Sequence, residues 1–143
     1  MEVNLEKIDL IDVLSERHGL LRRVTMRYWD AENNMPVSNR EWYILSRIYN
    51  QQATIAMISK NVDISRQATH KCIKQLEAKG LVNIKNVPEN KKEKAVELTV
   101  LGTTCYQQHE AIKARIIDEL RANIGEEQVM LLQQILLQDW KLT

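Results

Sequence analysis

The stretch SRQATHKCIKQLEAKG, Ser65 to Gly80, decides how the rest of the chain is read. Ser65 is a good N-cap, because its hydroxyl accepts one of the orphan amide protons of a first helical turn. Gly80 is a good stop, since glycine enters the left-handed region without steric cost. Between them positions 69, 72, 73 and 76 fall on one stripe at helical spacing, with Arg66, His70, Lys71 and Lys74 on the other side. A helix is predicted, with one face for a core and one carrying donors and positive charge. Most helices of this kind only present a wetted surface. The segments on either side give this one a different meaning.

After Gly80 the period changes. LVNIKNV (81–87) alternates apolar and polar residues as a half-buried strand does, PENKKEK (88–94) reads as a polar turn, and AVEL (95–98) as the returning strand. On the N-terminal side a short helix is predicted from about Thr54 to Lys60, joined to the first by the tight turn NVDI (61–64). Two short helices with a tight turn, followed by a basic two-stranded hairpin, are the parts of a winged helix-turn-helix. In that arrangement the 65–79 helix lies in the major groove of DNA, its first residues at base edges and its lysines near phosphates. The ENKKEK tip then reaches the flanking backbone or the minor groove.

The remaining segments are helical. Leu5 to about Tyr28 carries apolar residues mostly three or four apart, with a kink possible near Gly19, and AENNMPV (31–37) is a loop. SNRE (38–41) matches a capping box and starts a helix bearing Trp42, Ile44, Leu45 and Ile48 as far as about Asn50. Thr99 caps a helix whose stripe is Cys105, His109, Ile112, Ile116 and Leu120. Gly125 breaks it, and Glu126 and Glu127 favour the start of a last helix by offsetting its dipole. The expected fold is mainly α with a small β-hairpin wing, in one domain of 143 residues.

Net charge is only +1, but it is unevenly spread. Residues 59–94 hold nine Lys or Arg against four Asp or Glu, whereas the rest holds eleven against fifteen. A basic quarter in an otherwise acidic chain is the footprint of a local anion-binding face. The opening MEVNLEKIDL has no apolar core for a secretory leader, and no apolar run approaches the roughly 18 residues of a membrane span, so a cytoplasmic protein is expected. Cys72 and Cys105 read as buried thiols, and His18, His70 and His109 are scattered without metal spacing. No cofactor and no catalytic constellation is expected; four glycines leave little room for a phosphate-cradling loop.

At this point the chain resembles the MarR family of bacterial transcriptional regulators over nearly its whole length. DISRQATHKCIKQLEAKGLV (63–82) and PENKKEKAVELTVLG (88–102) carry the resemblance. The first ends its helix in a leucine, charged residues and Gly-Leu-Val, and the second returns from the wing into Leu98, Thr99 and Gly102. Two positions depart from the family pattern. Asn90, Lys91 and Lys92 stand where Asp-Arg-Arg or Asp-x-Arg is usual, and Ile84 stands where the first wing strand commonly has an arginine. Lysine keeps the charge without arginine's planar fork, so contacts of the wing are expected to follow backbone more than base sequence. Members that sense peroxides use a cysteine near the start of the chain, and none stands there.

The resemblance implies a homodimeric, ligand-responsive repressor of double-stranded DNA. Residues 38–102 would form the DNA-binding lobe, with 1–30 and 103–143 as dimerisation helices. The apolar arc of QVMLLQQILLQDW (128–140) is wider than one small domain needs, which agrees with a second copy. Expected DNA contacts are Ser65, Arg66, Gln67, His70, Lys71, Lys74, Lys91 and Lys92. Met26, Trp29, Met35 and Trp42 flank the loop after the first helix and are candidates for lining an effector pocket, although such residues more often form core. The alternative from another class is a winged-helix protein-interaction module without DNA binding, supported only by the altered wing.

Overall fold

A computed structural model describes the chain at residues 2–62 and 64–143; Met1 and Asp63 lie outside the described residues. Six helices and three short strands follow in order: α1 (Leu10–Glu32), α2 (Asn39–Ile48), β1 (Ala53–Thr54), α3 (Ile55–Asn61), α4 (Arg66–Ala78), β2 (Val82–Val87), β3 (Asn90–Leu98), α5 (Val100–Ile124) and α6 (Glu126–Leu137).

Most of the helix starts follow from their caps. Ser38 accepts from the Glu41 amide while the Glu41 carboxylate accepts from the Ser38 amide, closing the capping box of α2. Thr54 caps α3, Ser65 caps α4 and Thr99 caps α5, each hydroxyl accepting an amide three residues on. α1 differs from expectation. Asn4 and Asp9 each bond a nearby amide, so Leu5–Lys7 forms a lone 3-10 turn and the helix begins at Leu10. It is unbroken through Gly19 and runs on to Glu32, past Tyr28.

The wing also differs. Its turn is only Pro88 and Glu89, with Glu89 left-handed at φ 73°, as the second central residue of a type II turn requires. Lys92 to Lys94 therefore belong to β3 and not to a loop. β1, unanticipated, pairs antiparallel with β3 on its other side, Ala53 opposite Val96, so the sheet has three strands in the order β1-β3-β2. The core lies between this sheet and the helices: Trp29, Ile44, Leu45, Ile48, Ile58, Ile73, Leu76, Leu81 and Ile112 are all fully buried. Among the described residues, no helix is long and apolar enough to cross a membrane.

Candidate nucleic-acid interface

α4 is built as its pattern requires. Thr69, Cys72, Ile73 and Leu76 are buried, and Ser65, Arg66, Gln67, His70, Lys71 and Lys74 are all exposed. The Ser65 hydroxyl oxygen accepts from Ala68 at 3.1 Å, which leaves its hydrogen free to donate outward. Lys74 meets Glu77 at 3.7 Å, a solvent-exposed pair too weak to hold the lysine in place. At the other end Gly80 is left-handed at φ 76°, and the Leu81 amide reaches back to the Leu76 carbonyl at 3.0 Å, so the helix ends in a Schellman turn.

The wing is brought against the first half of α4. Arg66 and His70 share one hollow with Lys92, Glu93 and Lys94 of β3 and with Ile55 and Ala56 of α3. Two cationic elements thus adjoin, and a phosphate backbone lying over one passes close to the other. Lys94 was not among the expected contacts. Lys94 lines this hollow together with Lys92, a signal hidden by reading 88–94 as a turn. The side chain of Lys91 lies outside the described residues.

Other contacts brace the hairpin in place of the family arginine. Ile84 packs part-buried against the core. Lys85 pairs with Glu97 across the strands, Lys94 donates to Asn86, and Asn90 Oδ1 accepts the Lys92 amide at 3.1 Å.

Among the described residues, the four candidate effector-pocket residues do not line one cavity. Trp29 is 1% exposed, donates its indole N–H to the Met35 carbonyl at 2.8 Å, and meets Trp42 edge to face at 4.8 Å. Met26 borders a separate hollow with Arg40, Lys71 and Cys72. Trp42 instead forms part of a cavity of about 380 Å³ among α1, α2, α5 and the α3–α4 turn, with His18, Arg22, Arg40, Tyr106 and His109. His109 stacks on Trp42 at 3.9 Å and is 3% exposed. Among the described residues its Nδ1 has no hydrogen-bond partner. Burial first, and then the Lys113 charge, lower its pKa to about 4, so the ring is neutral. In the sequence His109 is one position on the α5 stripe, and nothing local marks it as a cavity wall.

Both cysteines are buried, as expected. Burial, followed by the Glu41 charge, pushes the Cys72 thiol up to about 11, and burial raises Cys105. Neither offers a reactive thiolate near neutral pH.

Comparison with known proteins agrees with this geometry. Residues 37–102 match the family described as winged helix DNA-binding domain. The chain is 29% identical over 126 residues to the HTH-type transcriptional regulator YdgJ of Bacillus subtilis, covering 87% of this chain and 75% of YdgJ. It superposes on wild-type apo MarR from E. coli with a TM-score of 0.75 at 20% identity, over 90% of this chain and 95% of MarR. A MarR mutant complexed with operator DNA gives the same score and identity over 95% and 96%. Residues 37–102 thus carry a winged helix DNA-binding domain, set within a chain that has the fold of MarR.

Proposed function

We propose that the chain acts in the cytoplasm as a homodimeric repressor that binds a pseudo-palindromic operator in duplex DNA and releases it when a small molecule binds. The observation that carries this reading is the exposed row Arg66, Gln67, His70, Lys71 and Lys74 on α4, adjoined at its first half by Lys92 of the wing. Arginine suits guanine and glutamine suits adenine at base edges, while lysines supply phosphate contacts. Residues 38–102 serve as the DNA-binding lobe, and 1–30 and 103–143 as dimerisation helices. Support for the dimer comes from α6, which buries no residue and exposes Met130, Leu131, Leu132, Ile135, Leu136 and Leu137. So large an apolar face calls for a partner surface, and a second copy supplies a matching one.

In a dimer the two α4 helices must sit about 34 Å apart to enter successive major grooves. The cavity beside Trp42 and His109 lies between the lobe and the long helices and is large enough for a small ligand. A ligand that favours a different spacing of the lobes weakens operator binding by the same factor as DNA weakens the ligand. The test is titration of the duplex that the protein selects from a random-sequence library, at several salt concentrations. A steep fall of affinity with salt is expected, and a promoter bearing that duplex should be more active when the protein is removed. No selected duplex, or a flat salt response, would refute the reading.

A further inference from the structure

Within three residues at its C-terminal end, α4 is tied to the first turns of two other helices. Lys79 Nζ donates to both carboxylate oxygens of Glu41 and to the Pro36 carbonyl, each at 2.8 Å. Glu41 is 3% exposed and is also the residue that closes the capping box of α2. One residue on, the Thr99 hydroxyl donates to the Gly80 carbonyl at 2.6 Å, and the Thr99 amide donates to the Leu81 carbonyl at 3.0 Å. Thr99 in turn caps α5 through the Gly102 amide at 2.9 Å. At the opposite end, among the described residues, the hydrogen bonds of Ser65 stay within α4.

The buried face of α4 is held by apolar contact, which is non-directional and tolerates small slides and rolls of a helix. The Lys79 and Thr99 bonds are short and directional, and those of Lys79 are charge-assisted, so they set position where packing does not. The Lys79 ammonium is held by three protein acceptors, two of them the oxygens of a single carboxylate. Its charge is also matched by Glu41. Lys79 thus differs from its exposed neighbours Lys71 and Lys74, although all three belong to the same basic segment.

We propose that Lys79 and Thr99 are positioning residues for DNA recognition: they fix the angle at which the first half of α4 projects, and neither contacts DNA. The inference rests on the DNA-binding reading above. Wild type, Thr99→Val, Thr99→Ser and Lys79→Gln are titrated with the wild-type-selected duplex and a scrambled duplex at several salt concentrations, with folding checked by circular dichroism. Thr99→Val and Lys79→Gln should lose roughly tenfold on the selected duplex, about the loss of one base contact, and less than about twofold on the scrambled one. Their salt slopes should match wild type, and Thr99→Ser, which keeps the hydroxyl, should bind as wild type does. Where Lys79→Gln fails to fold, Glu41→Gln replaces it with the same expectation, since the amide keeps an oxygen for Ser38. A slope shallower by about 0.9 per half-site for Lys79→Gln would make Lys79 a phosphate contact and overturn the proposal. Unchanged discrimination in both variants would overturn it too. If wild type selects no duplex, the DNA-binding reading fails first and takes this inference with it.

Discussion

Trp42 and His109 stack with ring centroids 3.9 Å apart and planes 11° from parallel, joining α2 to α5. The stack holds a titratable ring inside the core, where burial and the Lys113 charge bring its pKa from 6.5 to about 4. Between those values the unfolded chain binds a proton on His109 that the folded chain does not. Stability from this residue is therefore complete above about pH 6.5, falls as pH drops through the window, and levels off below about 4. The full contribution is about 3 kcal/mol. His109→Phe keeps a flat ring and removes the proton. Urea unfolding between about pH 4 and 7 should show a clearly weaker pH dependence in the variant. The same dependence in both proteins would place the titration elsewhere.

Gly102 sits where a side chain does not fit. A Cβ at this position would lie 2.0 Å from the Leu81 carbonyl oxygen, and a backbone atom cannot rotate away. The structure thus supplies a reason for glycine three residues after Thr99 in the turn out of the wing. Gly102→Ala should lower stability by about 3 kcal/mol or more, read as a fall in the urea midpoint. An unchanged midpoint would mean that α5 does not approach Leu81 this closely.

Local signals were the legible part of this fold. Ser38 with Glu41, Ser65, Gly80, Thr99 and Gly125 mark helix ends through bonds made within a few residues, so their meaning survives without knowledge of the rest. β1 and the first half of β3 were not legible. KKEK (91–94) has none of the composition of a strand and becomes one by being carried in the ladder, with Lys94 opposite Asn86 and Asn90 opposite Val87, a tertiary effect that overrides propensity. Contacts distant in sequence were hidden for the same reason: Trp42 gives no sign that its partner is His109, nor Lys79 that its partner is Glu41. The exposed basic face of α4 is legible from helical spacing, whereas the place of Lys94 beside it depends on how the wing folds.

The apolar face of α6 makes assembly testable. Leu137 is 76% exposed and Met130 55%, on a helix that buries nothing within its own chain. Ending the chain at Gly125 should abolish the dimer, leaving monomer or aggregate. Sedimentation of the full-length protein at micromolar concentration should show two chains, and a single chain there would remove the dimer from the account.

The most direct test of DNA recognition by α4 separates the helix from the wing. Arg66→Ala and Lys92→Ala are each titrated with the wild-type-selected duplex and a scrambled one across a range of salt. Arg66→Ala should lose about 1–3 kcal/mol on the selected duplex and much less on the scrambled one, because a base contact carries sequence information. Lys92→Ala should weaken both duplexes alike and flatten log K against log[salt] by about 0.9 per half-site, because a lysine at a phosphate carries only charge. Equal loss on both duplexes for Arg66→Ala, or lost discrimination with an unchanged salt slope for Lys92→Ala, would contradict the assignment of base reading to α4 and backbone contact to the wing.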